Sequence, residues 1–123
     1  MLMIPILPIQ FLQLIQIFKI SKPWNGMLVF KEKLDQDVPV IDVRKASEYE
    51  AGHLKGAVLA PLAELNDHLA DIPKDKTFYV HCAGGYRSVI AASILKGRGR
   101  HNLVDVGGGF KAIKEAEIPI VTD

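Results

Sequence analysis

Cys82 is the single cysteine of this 123-residue chain, and the residues around it are of the types that make sulfur reactive. An apolar run of aromatic and β-branched residues, Thr77-Phe78-Tyr79-Val80-His81, leads into it. Ala83-Gly84-Gly85-Tyr86-Arg87-Ser88 follows, and then an apolar stretch of helix formers ending at Leu95. This pattern predicts a buried strand, a tight loop, and a helix whose N-terminus faces the sulfur. A thiolate is the attacking species, and a free cysteine with a pKa of about 8.5 is mostly protonated at neutral pH. Gly84 and Gly85 let the backbone curl so that successive N–H groups turn inward. Arg87 brings a fixed positive charge, and the helix N-terminus adds its dipole. Ser88 offers a further hydrogen bond. The chemistry such a loop supports is covalent attack by sulfur on an electrophile held in a cradle of donors. A lone cysteine on an apolar strand is often only a packed side chain. A diglycine and an arginine at this spacing favour the nucleophile.

The elements that must position this loop read in chain order as alternating strands and helices. Val38-Pro39-Val40-Ile41-Asp42-Val43 is a near-continuous apolar run, as expected of a strand buried on both faces. Ser47 and Glu50 fit a capping box opening a short helix that stops at Gly52. A turn over 53–57 and a short strand at Val58-Leu59 follow. Leu62, Leu65 and Leu69 then mark a helix between Pro61 and Pro73. The strand over 77–81, the cysteine loop and a helix over 87–96 closed by Gly97 come next. A strand over 103–106, the turn Gly107-Gly108-Gly109 and a last helix over 110–115 complete the pattern. Alternation of this kind predicts a parallel sheet with helices on both faces, and ligands of such sheets bind beyond the carboxyl ends of the strands. Cys82 falls at that end. Upstream, residues 21–37 read as a connector, with Met27–Phe30 as a short edge strand and Lys31–Leu34 as a helical turn.

Composition bounds the rest. A net charge of +1 and the absence of a long basic run give no footprint for nucleic acid. One cysteine allows no intrachain disulfide or multi-cysteine metal site, which points to a reducing, cytoplasmic setting. His53, His68, His81 and His101 are too widely spaced for a local ligand pair, so no metal is expected. Residues 1–20 contain no charged side chain before Lys19, but Pro5, Pro8, Gln10, Gln13 and Gln16 interrupt the apolar run. The segment is short for a membrane span and lacks the marks of a signal peptide. It fits a docking extension, an interfacial helix touching a membrane, or the remnant of a longer chain.

The motifs together carry a resemblance. Cys82-Ala83-Gly84-Gly85-Tyr86-Arg87 resembles the active-site loop of the rhodanese (sulfurtransferase) family. Val40-Ile41-Asp42-Val43-Arg44, Glu48-Tyr49 and Gly52-His53-Leu54-Lys55-Gly56-Ala57 are similar to that family's first marker, and Asp105-Val106 with Gly108-Gly109-Phe110 resembles its closing turn. The chain is also similar to rhodanese modules fused to metallo-β-lactamase-fold proteins. The resemblance implies an α/β chain with a three-layer α/β/α fold and a mostly parallel central sheet. An apolar extension would occupy residues 1–30 and the rhodanese-like domain residues 31–123. It further implies a Cys82 persulfide that takes sulfur from thiosulfate or a low-molecular-weight persulfide. The sulfur would pass to a thiol or cyanide, or to a protein acceptor, without metal or organic cofactor. Ala83, Gly84, Gly85, Tyr86, Arg87 and Ser88 would hold the anionic sulfur. Asp42 and Arg44 would either orient the loop through an ion pair or cap the strand end and face solvent.

Three alternatives keep the same fold. One is a weakly catalytic sulfur-carrier or regulatory module; the others are a phosphatase and an arsenate reductase. Phosphatase loops place five residues between cysteine and arginine, and here there are four (83–86), a smaller cradle better suited to one sulfur atom. Ala83 also replaces the basic residue common in thiosulfate-using members. His81 is expected to be packed away from Cys82 by strand alternation, His53 to stabilise a turn, and Tyr86 to line the pocket. Lys96, Arg98 and Arg100 are expected to form a solvated helix end, and Gly107–Gly109 a structural turn.

Overall fold

The computed structural model describes residues 26–122; the expectations for residues 1–20 lie outside them. Three short runs of apolar residues form the heart of a parallel sheet: β1 (Val40–Asp42), β4 (Phe78–His81) and β5 (Leu103–Asp105). With β3 (Val58–Leu59) they make a four-stranded sheet in the order β3-β1-β4-β5. Ile41 pairs with both Val58 and Val80, and Asp42 with His81. Val80 also pairs with Asp105. A separate antiparallel pair joins β2 (His53–Leu54) to β6 (Ile120–Val121), so the architecture is mostly parallel, as expected.

Strand alternation sends neighbouring side chains to opposite faces, and each face carries its own core. Ile41, Val43, Phe78, Val80 and Cys82 meet Ala91 and Leu95 of α3 (Tyr86–Gly97), together with Leu65 and Ile72. On the other face Val40 and Tyr79 meet Phe30, Leu54, Val106 and Ile113, the last from α4 (Gly109–Glu115). Helices on both faces of a central sheet give the three layers.

Four elements differ from expectation. Residues 26–35 are helical (α1) rather than an edge strand followed by one turn. Met27, Phe30 and Leu34 share one helical face and pack against the second core, while Leu28 and Val29 stay exposed. The 3.6-residue period therefore overrides the local apolar run. The expected boundary between residues 30 and 31 runs through this helix. Next, α2 spans Ala46–Ala51 and starts two residues early: Glu48, not Glu50, reaches back to accept the Lys45 N–H at 3.0 Å. Finally, Leu62–Asp71 is a 3-10 segment interrupted at Glu64 (φ −119°). Leu62 and Leu65, three apart, face the first core together in that tighter repeat. The turn expected over 53–57 instead begins with β2.

Candidate active site

Cys82 leaves the end of β4 and is 1% exposed. The chain turns back at Gly85, whose φ of +104° puts it in the left-handed region at the start of α3. That turn aims the Gly85 N–H at Sγ, 3.1 Å away. Ser88, fully buried one helical turn later, places Oγ 3.6 Å from Sγ. A hydroxyl rotor accepts from the thiol and, after ionisation, donates to the thiolate. Burial alone pushes the Cys82 thiol up. The Ser88 hydroxyl and the amides of Ser88, Gly85 and Gly84 outweigh it, and the net pKa lies below the usual thiol value. Gly84 contributes an amide without needing to be glycine: its φ lies outside the left-handed region, and a Cβ there meets nothing within 4 Å.

The back of the loop is held by the turn expected to be merely structural. The Cys82 carbonyl accepts the Phe110 N–H at 2.7 Å, and the Ala83 carbonyl accepts the Lys111 N–H at 3.1 Å. Gly109 sits so close that a Cβ would fall 2.6 Å from the Cys82 oxygen and 2.7 Å from the Ala83 oxygen. His81 Nδ1 adds a second donor to the Cys82 carbonyl at 3.1 Å; since a carbonyl only accepts, Nδ1 carries the proton. Its Nε2 lies 3.6 Å from Asp42 Oδ2 and has no hydrogen-bond partner. Burial holds His81 below the ordinary histidine pKa, against the opposing pull of Asp42. His81 is thus packed, as alternation predicts.

Asp42 and Arg44 do not face solvent. They are 0% and 4% exposed and joined through Nε and an Nη, the shortest contact 2.8 Å. Arg44 also donates to the Gly52 carbonyl at 2.7 Å and lies over the Phe110 ring at 3.9 Å. The pair ties the end of β1 to α2 and to the residue that holds the cysteine carbonyl. His53, expected to stabilise a turn, lies in β2 and packs on α2 instead: its ring stacks on Tyr49 at 3.7 Å, and Nδ1 meets the Tyr49 carbonyl oxygen at 2.7 Å.

Arg87 is placed otherwise than its spacing implied. Its guanidinium forks onto Glu48, with Nη–Oε distances of 2.8 and 3.0 Å. The Arg87 hydrogen bond holds the Glu48 carboxyl at about 2, below the usual 4.5, and Glu48 in turn raises Arg87. Lys45, Ser47, Glu48 and Arg87 line a shallow groove. Tyr86, 83% exposed, stands out in solvent instead of lining a pocket. Arg98 bonds Asn66 and Arg100 the Leu69 carbonyl, so two members of the basic cluster fasten α3 to the 3-10 segment. Glu48 and Gly109 are the site residues that spacing alone did not single out. The signal for Gly109 was the triple glycine after a strand; Glu48 showed only as part of a motif. Among the described residues no three His, Cys, Asp or Glu side chains converge as metal ligands would.

A parallel sheet with a single thiol at the carboxyl end of a central strand, facing a glycine turn and a helix start, defines an α/β protein built around a cysteine loop. Residues 28–116 match the rhodanese-like domain, and the chain belongs to that family. It is 32% identical over 93 residues to the putative sulfur carrier protein YrkF of Bacillus subtilis, covering 74% of this chain and 50% of that protein. A sulfurtransferase of Allochromatium vinosum is 29% identical over 86 residues, covering 70% of this chain and 80% of its own length. Among solved structures, a rhodanese-related protein of Thermoplasma volcanium superposes with a TM-score of 0.67 at 32% identity, over 75% of this chain and 91% of that one. The chain spans 50% of YrkF and 57% of a further Bacillus subtilis relative, the uncharacterized protein YqhL, to which it is 39% identical over 72 residues.

Proposed function

We propose that the protein transfers sulfane sulfur through a persulfide on Cys82. The carrying observation is the convergence of the Gly85 amide and the Ser88 hydroxyl on Sγ, which stabilises a thiolate where the loop opens. The thiolate attacks the outer sulfur of thiosulfate or a low-molecular-weight persulfide, and sulfite or a thiolate leaves. The Cys82 persulfide then gives its outer sulfur to a thiol or cyanide, regenerating the thiolate. The amides from Ala83 to Arg87, with Ser88, act as the donor cradle for the anionic sulfur. Displacement at sulfur by a thiolate needs no metal or organic cofactor. Such a nucleophile works in a reducing compartment such as the cytoplasm. The names of the sulfurtransferase and sulfur-carrier relatives support the reaction class.

The test is intact-mass analysis after incubation with thiosulfate or glutathione persulfide. Wild type gains one sulfur atom and Cys82→Ala gains none. Absence of any gain with both donors overturns the proposal, and hydrolysis of phenyl phosphate by the same protein replaces it with the phosphatase reading. A second reading, a sulfur carrier that loads but does not discharge to small acceptors, is favoured by the near-complete burial of Cys82. Loss of the added sulfur on exposure to cyanide separates the two.

A further inference from the structure

Glu48 lies 39 residues from Arg87 in sequence, yet its carboxylate takes two nitrogens of the Arg87 guanidinium. Arg87 is the one cation of the loop, since Ala83, Gly84, Gly85, Tyr86 and Ser88 carry no charge. A bidentate fork of this kind fixes both partners. Lys45 lines the same groove but is exposed, where water and salt screen its charge. With the carboxyl held at about 2, Glu48 stays ionised at every pH at which a thiolate attacks. The one fixed positive charge of the loop is therefore paired with a carboxylate. Cys82 below is almost wholly buried, so a donor must present its sulfur on a narrow stem.

Two donor classes meet this pair differently. Thiosulfate is a dianion, and the guanidinium that would bind its sulfonate oxygens is already taken by the Glu48 carboxylate. An alkyl persulfide carries at most one charge on its sulfur pair, and its stem can be uncharged. Resting on the sulfur-transfer reading above, we propose that Glu48 is a specificity-determining residue. By cancelling the charge of Arg87 it turns the site from doubly anionic donors toward low-molecular-weight alkyl persulfides. In the step it favours, the Cys82 thiolate attacks the outer sulfur of R–S–SH. A Cys82 S–S bond forms as the R–S–S bond breaks, the electron pair leaves with R–S⁻, and the proton stays on the outer sulfur. No external oxidant or reductant enters.

The experiment compares rates of Cys82 persulfide formation, read by intact mass, from thiosulfate and from 2-hydroxyethyl persulfide, whose stem is uncharged. Glu48→Gln keeps an oxygen for the Lys45 N–H, removes the charge and gives up one of the two hydrogen bonds from Arg87. Its thiosulfate-to-persulfide rate ratio rises about tenfold, the scale of electrostatic effects on encounter. Added NaCl then slows its thiosulfate reaction more steeply than that of wild type. Glu48→Asp keeps the charge and restores the wild-type ratio, which separates a charge effect from a packing effect. A ratio unchanged in Glu48→Gln, including equal losses with both donors, overturns the proposal while leaving sulfur transfer intact. No sulfur gain by wild type from either donor overturns the transfer reading and this one with it.

Discussion

At the scale of single residues, the lowered pKa of Cys82 rests on short-range dipoles more than on the nearest full charge. Arg87 is committed to Glu48, so the hydroxyl of Ser88 and the loop amides carry the stabilisation of the thiolate. Ser88→Ala removes the largest favourable contribution and leaves burial opposed only by amides. The pH profile of Cys82 alkylation by iodoacetamide therefore moves to higher pH, and the rate at neutral pH falls. An unmoved profile would assign the shift to the amides alone. Glu48 gives a second residue-scale consequence. Its folded pKa of about 2 lies below the usual 4.5, so between these values the unfolded chain binds more protons. The stabilisation is thus complete above pH 4.5 and is lost as pH falls toward 2. Because the pair is one-third exposed, its worth is below about 1 kcal/mol. Urea unfolding of Glu48→Gln shows a shallower fall in stability across that window than wild type.

At the scale of elements, the sequence was most legible where a residue's chemistry and the local period agree. The strand, loop and helix around Cys82 stand where Thr77–Leu95 placed them, because an apolar run, a glycine pair and a helix-forming stretch admit few other readings. Legibility failed where a long-range contact decides. Gly84 and Gly85 look equivalent in sequence, yet only Gly85 has positive φ. The glycine that most constrains the cysteine loop is Gly109, from a turn 27 residues downstream, because it meets the carbonyls of Cys82 and Ala83. Glu48 was hidden for the same reason: its partner lies on another element. A paired substitution tests this ranking. Gly109→Ala places a Cβ against two carbonyl oxygens at a φ of +60° and costs about 2 kcal/mol or more. It also displaces the loop and slows Cys82 alkylation. Gly84→Ala, in open space, changes stability by no more than about 0.5 kcal/mol. Equal effects in a thermal melt of the two variants would mean that the turn does not brace the loop.

At the scale of the whole molecule, the site sits where two cores meet the ends of the same strands. Cys82 belongs to the core under α3, whereas His81, one residue before it, points to the opposite face and rests on the Asp42–Arg44 pair and Phe110. The loop is thereby anchored to both layers. The second layer depends on α1, whose helical character the short run Met27–Phe30 concealed. No helix of the described residues is long and apolar enough to cross a membrane, and the apolar side of α1 is spent on the core instead. Phe30 is 1% exposed and packs on Tyr79 with ring centroids 5.1 Å apart. Tyr79 stands two residues before His81 and on the same face of β4. Truncating Phe30 to alanine leaves a cavity under that strand and lowers stability by about 3 kcal/mol. A chain starting at residue 31 loses this ring together with half of α1, and is less stable than one starting at residue 26 by at least as much. Urea unfolding of the three proteins measures both differences. If a start at residue 31 proves as stable as a start at residue 26, α1 is dispensable to the fold, and the support of the cysteine loop from the second layer comes from α4 and the turn before it.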